Sequence, residues 1–339
     1  MYDTVRVTLA GVRPDRIDLH QDFSLSLRSG TGEYRNAQKI LRMNEVNGSS
    51  AYNGTVGITY NYEQAYMNIQ CSSLPALLYG TSLKALAYED IPKAIDKLQA
   101  LIGQYVDADI RSEGIITRLD NSAIYGVQRK VGDYISVLDE ITPLKRRRSD
   151  KKVYEGETVR YDNNTRSVGF YDKVEKAKQG EQGVDARAEG NLLRYEIQYK
   201  SSQGISSAYK LGKGVHFTLP DLYNEEVARK TLQLRQDTFT QFFPLDVNKV
   251  LARHFGQLEQ IGSMYRTNKA ATATIFVLLK SGKLTHREAI KIAEATGISR
   301  QALSSWRKKL QELDALHTDN IDLYEEVRSL IKAEVSDAA

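Results

Sequence analysis

The most constraining feature of the sequence is the alternation of apolar and polar residues along several short segments. Side chains at positions i and i+2 of a β-strand point to the same side of the sheet, so this alternation predicts strands with one apolar and one polar side. The clearest examples are YMNIQC, ITRLDN, SVGFYDKV and LLRYEIQYK, which begin at Tyr66, Ile116, Ser167 and Leu192. If these strands belong to one sheet, that sheet has a polar face.

The predicted polar face collects charged residues from three of these strands. Taken singly, an arginine and an acid two residues apart are typical of a surface ion pair of small value. Their occurrence together on one face carries more weight, because together they supply acidic, basic and nucleophilic groups that a catalytic site needs. These residues are Arg118, Asp120, Tyr171, Lys173, Arg194 and Glu196.

The remaining pattern extends this sheet and adds helices. Residues 1–75 alternate as strands do, Tyr88–Val106 has the spacing of an amphipathic helix, and two strands around Asn163-Asn164 predict a hairpin. Beyond about Leu219 the spacing becomes helical. The prediction is an α+β domain over 1–218, with an antiparallel central sheet flanked by helices, followed by an all-α domain over 219–339.

Charge and composition indicate the class of partner. The net charge is only +4, but KRRRSDKK, from Lys145, carries six positive charges, and Lys283–Lys309 carries seven Lys or Arg against two Glu. Two basic clusters predict a bound polyanion, although a lone basic run is usually a solvated loop. A single cysteine, Cys71, the absence of a signal sequence and the absence of an apolar run near ~20 residues predict a cytoplasmic protein with no membrane partner.

The residue types on the predicted polar face match the requirements of phosphodiester transfer. Two carboxylates, Asp120 and Glu196, can hold a hard divalent cation such as Mg²⁺ or Mn²⁺. Such a cation polarises a phosphate and stabilises the leaving oxygen. The forked guanidinium groups of Arg118 and Arg194 suit phosphate oxygens.

Tyr171 is one of 20 tyrosines, so its position must distinguish it from the others. The alternation places Val168 and Phe170 on the opposite side of its strand, so burial does not explain it. Gly169 removes a side chain beside it, which we expect to leave room for a backbone to approach. A phenol has an ordinary pKa of about 10, and Lys173 on the same predicted face would favour the phenolate.

At these segments the chain resembles the gene II/X replication initiators of filamentous phages and, more distantly, the rolling-circle initiators of staphylococcal-type plasmids. The resemblance lies in TRLDNSAIY (Thr117–Tyr125), SVGFYDKVEKAK (Ser167–Lys178) and LLRYEIQYKS (Leu192–Ser201), in the family's order and rough spacing. NIQCSSLPALLYG, from Asn68, is similar to the family's preceding strand and turn. The likeness spans about Met67–Lys210.

This resemblance implies a nicking and closing enzyme in the cytoplasm of a bacterial host. In that family a tyrosine attacks one strand of a double-stranded origin, becomes linked to the 5′ phosphate and leaves a 3′ hydroxyl for the host polymerase; a host helicase is a further implied partner. By motif position Tyr171 would be the nucleophile beside Lys173, and Asp120 and Glu196 would bind the metal. The chain departs from the phage members at Asn68, where they carry an acidic residue, so the metal ligands stay open.

A second DNA-binding element is predicted in His286–Leu313. Gly297 makes a turn between two helical patterns, Ser299 can cap the second, and Trp306 recurs at the spacing that packs back on the first. This pattern is typical of a helix-turn-helix, although a helical hairpin in a bundle also shows it. The exposed positions predicted to contact phosphates and base edges are Arg300, Gln301, Ser304 and Lys308.

Two other functions fit the same features. The chain could be a non-enzymatic DNA-binding regulator with surface ion pairs, or a relaxase of a mobile element with the same nicking chemistry. A His-any-His metal pair is disfavoured because no two of the five histidines are near each other, and only His216 is kept as a candidate ligand. Tyr161, on the partner strand of the hairpin, is the candidate for a second tyrosine in strand closure. The origin sequence and the oligomeric state stay open.

Overall fold

The chain forms two compact units, one of Met1–Ser136, Leu144–Phe243 and Ser329–Ala339, the other of Val137–Pro143 and Pro244–Arg328. The predicted domain boundary between residues 218 and 219 therefore falls inside the first unit. The computed structural model describes residues 1–13, 23–27, 34–43, 54–141, 145–146, 149–154, 157–180, 189–244 and 322–336. The predicted helix-turn-helix lies outside these residues.

The first unit is built on one antiparallel sheet, to which the described residues contribute eleven strands in the order β2-β3-β4-β5-β1-β6-β11-β10-β9-β8-β7. The α+β prediction with a central antiparallel sheet is confirmed here. The basic run from Lys145 contributes the two strands at one edge. The strands are β1 (Tyr2–Ala10), β2 (Ser24–Leu27), β3 (Tyr34–Arg42), β4 (Thr55–Asn61), β5 (Tyr66–Cys71), β6 (Ile115–Gly126), β7 (Lys145–Arg146), β8 (Ser149–Tyr154), β9 (Thr158–Asp162), β10 (Arg166–Asp172) and β11 (Leu192–Tyr199).

Helices lie between and after these strands. They are α1 (Leu74–Tyr79), α2 (Ile91–Ile102), α3 (Ile110–Glu113), α4 (Val131–Ile141), α5 (Lys173–Gly180), α6 (Ser202–Tyr209), α7 (Glu225–Phe242) and α8 over residues 322–336. Local sequence sets their ends: Ser73 caps α1 by accepting from the Ala76 amide, and Gly80 closes it in the left-handed region at φ 81°. None of the helices in the described ranges is long and apolar enough to span a membrane.

The sheet has the two unlike faces that the alternation predicts. On the apolar face α7 packs against the central strands, where the Phe170 ring lies 5.9 Å from Phe239 and 5.0 Å from Phe243. Tyr161 is fully buried on this same face, with its ring 5.8 Å from Phe242. Tyr161 therefore points away from Tyr171, and its predicted part in strand closure does not fit this position.

The predicted hairpin around Asn163 and Asn164 is confirmed. The Asn163 side-chain oxygen accepts hydrogen bonds from the Thr165 amide at 2.9 Å and the Arg166 amide at 2.8 Å, which fixes the turn between β9 and β10. The register then places Gly169 opposite Arg160 and Tyr171 opposite Thr158.

Gly169 has a different use from the one expected of it. A Cβ atom at this position would lie 2.3 Å from the Arg160 Cβ and 2.7 Å from the Val159 carbonyl oxygen. The space beside Gly169 is thus occupied by the neighbouring strand β9 and is not open to a substrate backbone. Gly169 allows β9 and β10 to approach closely, which is a known reason for glycine within a strand.

We expect Gly169→Ala to lower the free energy of unfolding by about 1–3 kcal/mol, because the added methyl group forces two strands apart. Gly57→Ala is the matched control: Gly57 also lies within a strand, and a Cβ atom there would meet nothing within 4 Å. Urea denaturation of the two variants measures the difference. Equal stability of both variants would contradict the close-approach explanation.

Candidate active site

The strand register brings the predicted polar residues together on one face. Tyr171 lies opposite Arg194, and Gly169 lies opposite Glu196, across the β10–β11 pair. On the other side of β11, Gln198 lies opposite Asp120. Asp120 and Glu196 are therefore diagonal neighbours on adjacent strands, a separation of about 7 Å that long side chains can bridge.

A cavity of about 490 Å³ opens on this face. It is bounded by residues of β1, β6, β8, β9, β10 and β11 and by the first turns of α5. Five of the six predicted polar-face residues lie in its wall or directly behind it. The ionisable side chains that matter most in the wall are Asp3, Arg118, Asp120, Arg160, Tyr171 and Glu196.

Arg194 lies behind this wall, with 1% of its surface exposed. Its Nη2 atom donates to Asp3 Oδ2 at 2.6 Å and to Glu196 Oε1 at 3.0 Å. Asp3 is held in turn by the Ser73 hydroxyl at 2.6 Å. Burial disfavours the Arg194 charge, but the charge of Asp3 and the neighbouring acidic groups outweigh it and raise the pKa of Arg194. Arg194 thus links β11 to β1 behind the cavity.

Tyr171 lies between this arginine and the cavity. Its hydroxyl donates to Glu196 Oε1 at 3.5 Å, and the Arg194 guanidinium carbon lies 5.8 Å from the centre of its ring. Burial raises the pKa of the Tyr171 phenol well above its ordinary value, and the charges of Glu196, Asp3 and Asp120 act in the same direction against Arg194. The free protein therefore keeps this phenol protonated.

Asp120 is a buried carboxylate whose charge is only partly compensated. Arg118 binds it through two hydrogen bonds, Nε to Oδ1 at 3.1 Å and Nη2 to Oδ2 at 2.8 Å. Burial, followed by the charge of Glu196, nevertheless raises the pKa of Asp120 to about 7. Two acids that repel each other at a cavity wall, with an arginine on each, form an arrangement that a cation would stabilise.

The two residues predicted to hold Mg²⁺ or Mn²⁺, Asp120 and Glu196, both line the cavity. Among the described residues no group of three or more His, Cys, Asp or Glu is arranged to hold a metal. Mg²⁺ is commonly bound through only one or two carboxylates, with water and substrate phosphate completing its shell. Asp120 and Glu196 supply two carboxylates in one cavity wall, so they match that kind of site and not a cage made of protein alone.

Lys173 does not share the face of Tyr171, and this expectation is wrong. The strand ends at Asp172, and Lys173 is the first residue of α5, so the alternation of side chains no longer applies to it. Its side chain is buried, and Nζ donates to the Ser82 hydroxyl at 2.7 Å. The Arg194 guanidinium lies beside the Tyr171 ring instead, 5.8 Å from its centre.

Sequence reasoning missed several residues of this site. Arg6 lies on the same face beside the cavity, directly opposite Arg118 across β1 and β6, and donates to the Gln70 side chain. The alternation of Val5 and Val7 in its strand could have placed it there. Two like charges placed opposite each other are destabilising unless an anion lies near them. Asp3 had no such signal, because the register of β1 against β6 is irregular between Tyr2 and Val5.

Among the predicted site residues not yet discussed, His216 falls within the described part of the chain. His216 is exposed outside the cavity wall, so the described geometry gives it no part in a metal site. Four predicted DNA-binding residues lie outside the described residues, and their roles stay predictions: Arg300, Gln301, Ser304 and Lys308.

We expect the stability of the metal-free protein to fall as the pH rises from about 4 to about 7. Unfolded Asp120 loses its proton near the ordinary pKa of 3.8, whereas the folded protein retains it up to about 7. Over this range the folded state binds more protons than the unfolded state, so the slope of stability against pH is negative. Asp120→Asn should flatten that slope in urea titrations at successive pH values.

Asp162→Asn is the control, because its expected effect has the opposite sign. Burial opposes the Asp162 charge, but hydrogen bonds from Lys200 and Lys152 outweigh it and lower the pKa of Asp162 to about 2. The Asp162 contribution is therefore lost as pH falls from about 4 towards 2. A slope between pH 4 and 7 that Asp120→Asn leaves unchanged would contradict the raised pKa of Asp120.

The site thus combines a phenol, two arginines and two facing carboxylates in one cavity. A scan of the chain against protein-family models and a search of curated proteins both gave no match. The arrangement of these side chains is the basis on which the function is inferred.

Proposed function

We propose that the protein is a metal-dependent, tyrosine-based nicking and closing enzyme that initiates rolling-circle DNA replication. The observation that carries the proposal is the position of Tyr171, whose hydroxyl contacts Glu196 and whose ring lies beside Arg194 in a cavity lined by acids and arginines. A nucleophile, a proton acceptor and phosphate-binding groups are the parts that transfer of a phosphodiester to a side chain requires.

The proposed reaction is a transesterification at phosphorus. The Tyr171 phenol oxygen forms a bond to the scissile phosphorus while the bond from phosphorus to the 3′ oxygen breaks. Glu196 Oε1, the acceptor of the phenol hydrogen bond, is placed to take the phenol proton. The departing 3′ oxygen takes a proton from solvent and becomes a hydroxyl, Glu196 later releases the phenol proton to solvent, and the 5′ phosphate stays linked to Tyr171. Attack by a 3′ hydroxyl on this linkage reverses the step and closes a strand.

In this proposal the arginines bind phosphate and position side chains, and the carboxylates bind the metal ion. Arg118 lines the cavity and presents a guanidinium to its phosphate space, while Arg194 holds Glu196 and the ring of Tyr171 in place. Asp120 and Glu196 would hold the Mg²⁺ or Mn²⁺ ion, which when bound polarises the phosphate and stabilises the leaving oxygen.

The C-terminal part would hold the double-stranded origin through the helix-turn-helix at about 286–313. The Tyr171 site would act on the single-stranded nick site. The protein would act in the bacterial cytoplasm, with a host helicase and a host polymerase as its partners. A relaxase of a mobile element would use the same site. A non-enzymatic regulator would not need a phenol between an acid and an arginine in a cavity, which is why we place it second.

The central test uses single-stranded oligonucleotides from the protein's own replicon with Mg²⁺ or Mn²⁺. We expect a protein–DNA adduct that survives denaturation and whose linked peptide contains Tyr171. Tyr171→Phe should abolish it, because the attacking oxygen is lost, whereas Tyr161→Phe, on the opposite face, should retain it. Absence of any adduct across metals and oligonucleotides would remove the proposal, and an adduct in Tyr171→Phe would remove Tyr171 as nucleophile.

The metal assignment has a test that does not depend on activity. Mg²⁺ or Mn²⁺ should raise the free energy of unfolding of the wild type by about 2–3 kcal/mol at roughly a hundred times Kd, because ligands that bind only the folded state stabilise it. Asp120→Asn and Glu196→Gln should lose this increase and lose cleavage while retaining duplex binding. Asp96→Asn, on the exposed side of α2, is the control and should keep both. Cleavage that persists in Asp120→Asn and Glu196→Gln would refute the metal site.

A further inference from the structure

Tyr154 is an exposed aromatic residue in the wall of the Tyr171 cavity. It is the last residue of β8, and 53% of its surface is exposed. With the described residues its side chain makes no hydrogen bond, ion pair or ring contact, and its backbone alone is bonded, to the Glu157 amide at 2.8 Å. Within the described part of the chain the ring therefore has no hydrogen-bond, ionic or aromatic partner, and it exposes a large apolar surface at a polar site.

The register aligns Tyr154 with Tyr171. Tyr171 lies opposite Thr158 across β10 and β9, and Thr158 lies opposite Tyr154 across β9 and β8. The three residues form one row on the polar face, so the two tyrosines stand two strand spacings apart, about 10 Å. That distance separates Tyr154 from the attacking oxygen while keeping both rings in one cavity.

The wall of the cavity that holds the two tyrosines includes hydrogen-bond donors, together with the carboxylates of Glu157 and Asp172. Arg160 comes from the strand between the two tyrosines and lines the cavity, and its Nε atom is buried with no hydrogen-bond partner among the described residues. Lys176 and Gln179 of α5 line the same cavity. A phosphate backbone crossing this cavity would meet cationic and amide donors, while its bases would meet the Tyr154 ring.

We infer that Tyr154 is a stacking platform for a base of single-stranded DNA next to the phosphate that Tyr171 attacks. This inference rests on the proposed function and defines the form of its substrate. Bases have an accessible face only where the strand is unpaired, and stacking on an aromatic side chain tolerates any base. Tyr154 is thus a positioning residue that favours unpaired DNA at the cavity without reading its sequence.

The test separates base contacts from backbone contacts. Full-length variants in a Tyr171→Phe background, which forms no covalent bond, are titrated with a labelled short oligothymidylate and with the same backbone lacking bases. Tyr154→Ser should weaken binding of the oligothymidylate by about fivefold to a hundredfold and leave binding of the base-free backbone unchanged. Tyr154→Phe, which keeps the ring, should leave both unchanged. Tyr34→Ser, an exposed tyrosine on β3 outside the cavity, should also leave both unchanged.

The outcomes distinguish this inference from the proposed function. If the Tyr171 enzyme forms its adduct but Tyr154→Ser binds both probes as its parent does, the inference is overturned and the proposed function stands. Equal losses in Tyr154→Phe and Tyr154→Ser would assign the effect to the hydroxyl and overturn stacking. If no adduct forms and the parent protein binds neither probe, the proposed function is overturned and the inference falls with it. Thermal melts confirm that Tyr154→Ser remains folded.

Discussion

The candidate site depends on the burial of one arginine. Arg194 keeps its charge in a dry environment because Asp3 and Glu196 both contact its Nη2 atom. Removing one partner of such a group leaves an uncompensated buried charge, which is far more costly than the pair itself is worth. The same contacts fix Glu196 against the hydroxyl of Tyr171 and tie β11 to β1. Stability and site geometry therefore rest on the same few atoms.

The surplus of acid around Tyr171 has a chemical consequence. Burial raises the pKa of Tyr171, Arg194 opposes it, and the charges of Glu196, Asp3 and Asp120 add to the effect of burial. Left to these groups the phenol stays protonated and weakly nucleophilic. A divalent cation at the carboxylates reverses the sign of the local field and lowers the pKa of nearby groups. In the proposed enzyme, the acids that keep the phenol protonated are the ones that would bind the cation.

The period of two predicted the polar face, since it depends only on strand geometry, and it placed Asp120, Arg118, Arg194 and Glu196 together. It failed at Lys173, where the strand gives way to a helix. It also missed what non-local packing decides. Asp3 joins the site from a strand with irregular register. Buried Arg194 pairs with this acid, which is far away in sequence, and the neighbouring strand β9 fills the space beside Gly169. No local sequence pattern predicts these contacts between residues that are far apart in sequence.

Buried charged groups whose hydrogen bonds and charges are not fully matched distinguish this site from a set of structural ion pairs. Buried polar groups in stable networks are almost always fully hydrogen-bonded, because each unmet donor or acceptor is costly. Here the Nε atoms of Arg194 and Arg160 are buried without a hydrogen-bond partner among the described residues, and the pKa of Asp120 is raised to about 7 despite two bonds from Arg118. These groups border or back one cavity that holds a phenol. Perturbed groups that converge on a cavity are more frequent at functional sites than elsewhere in proteins.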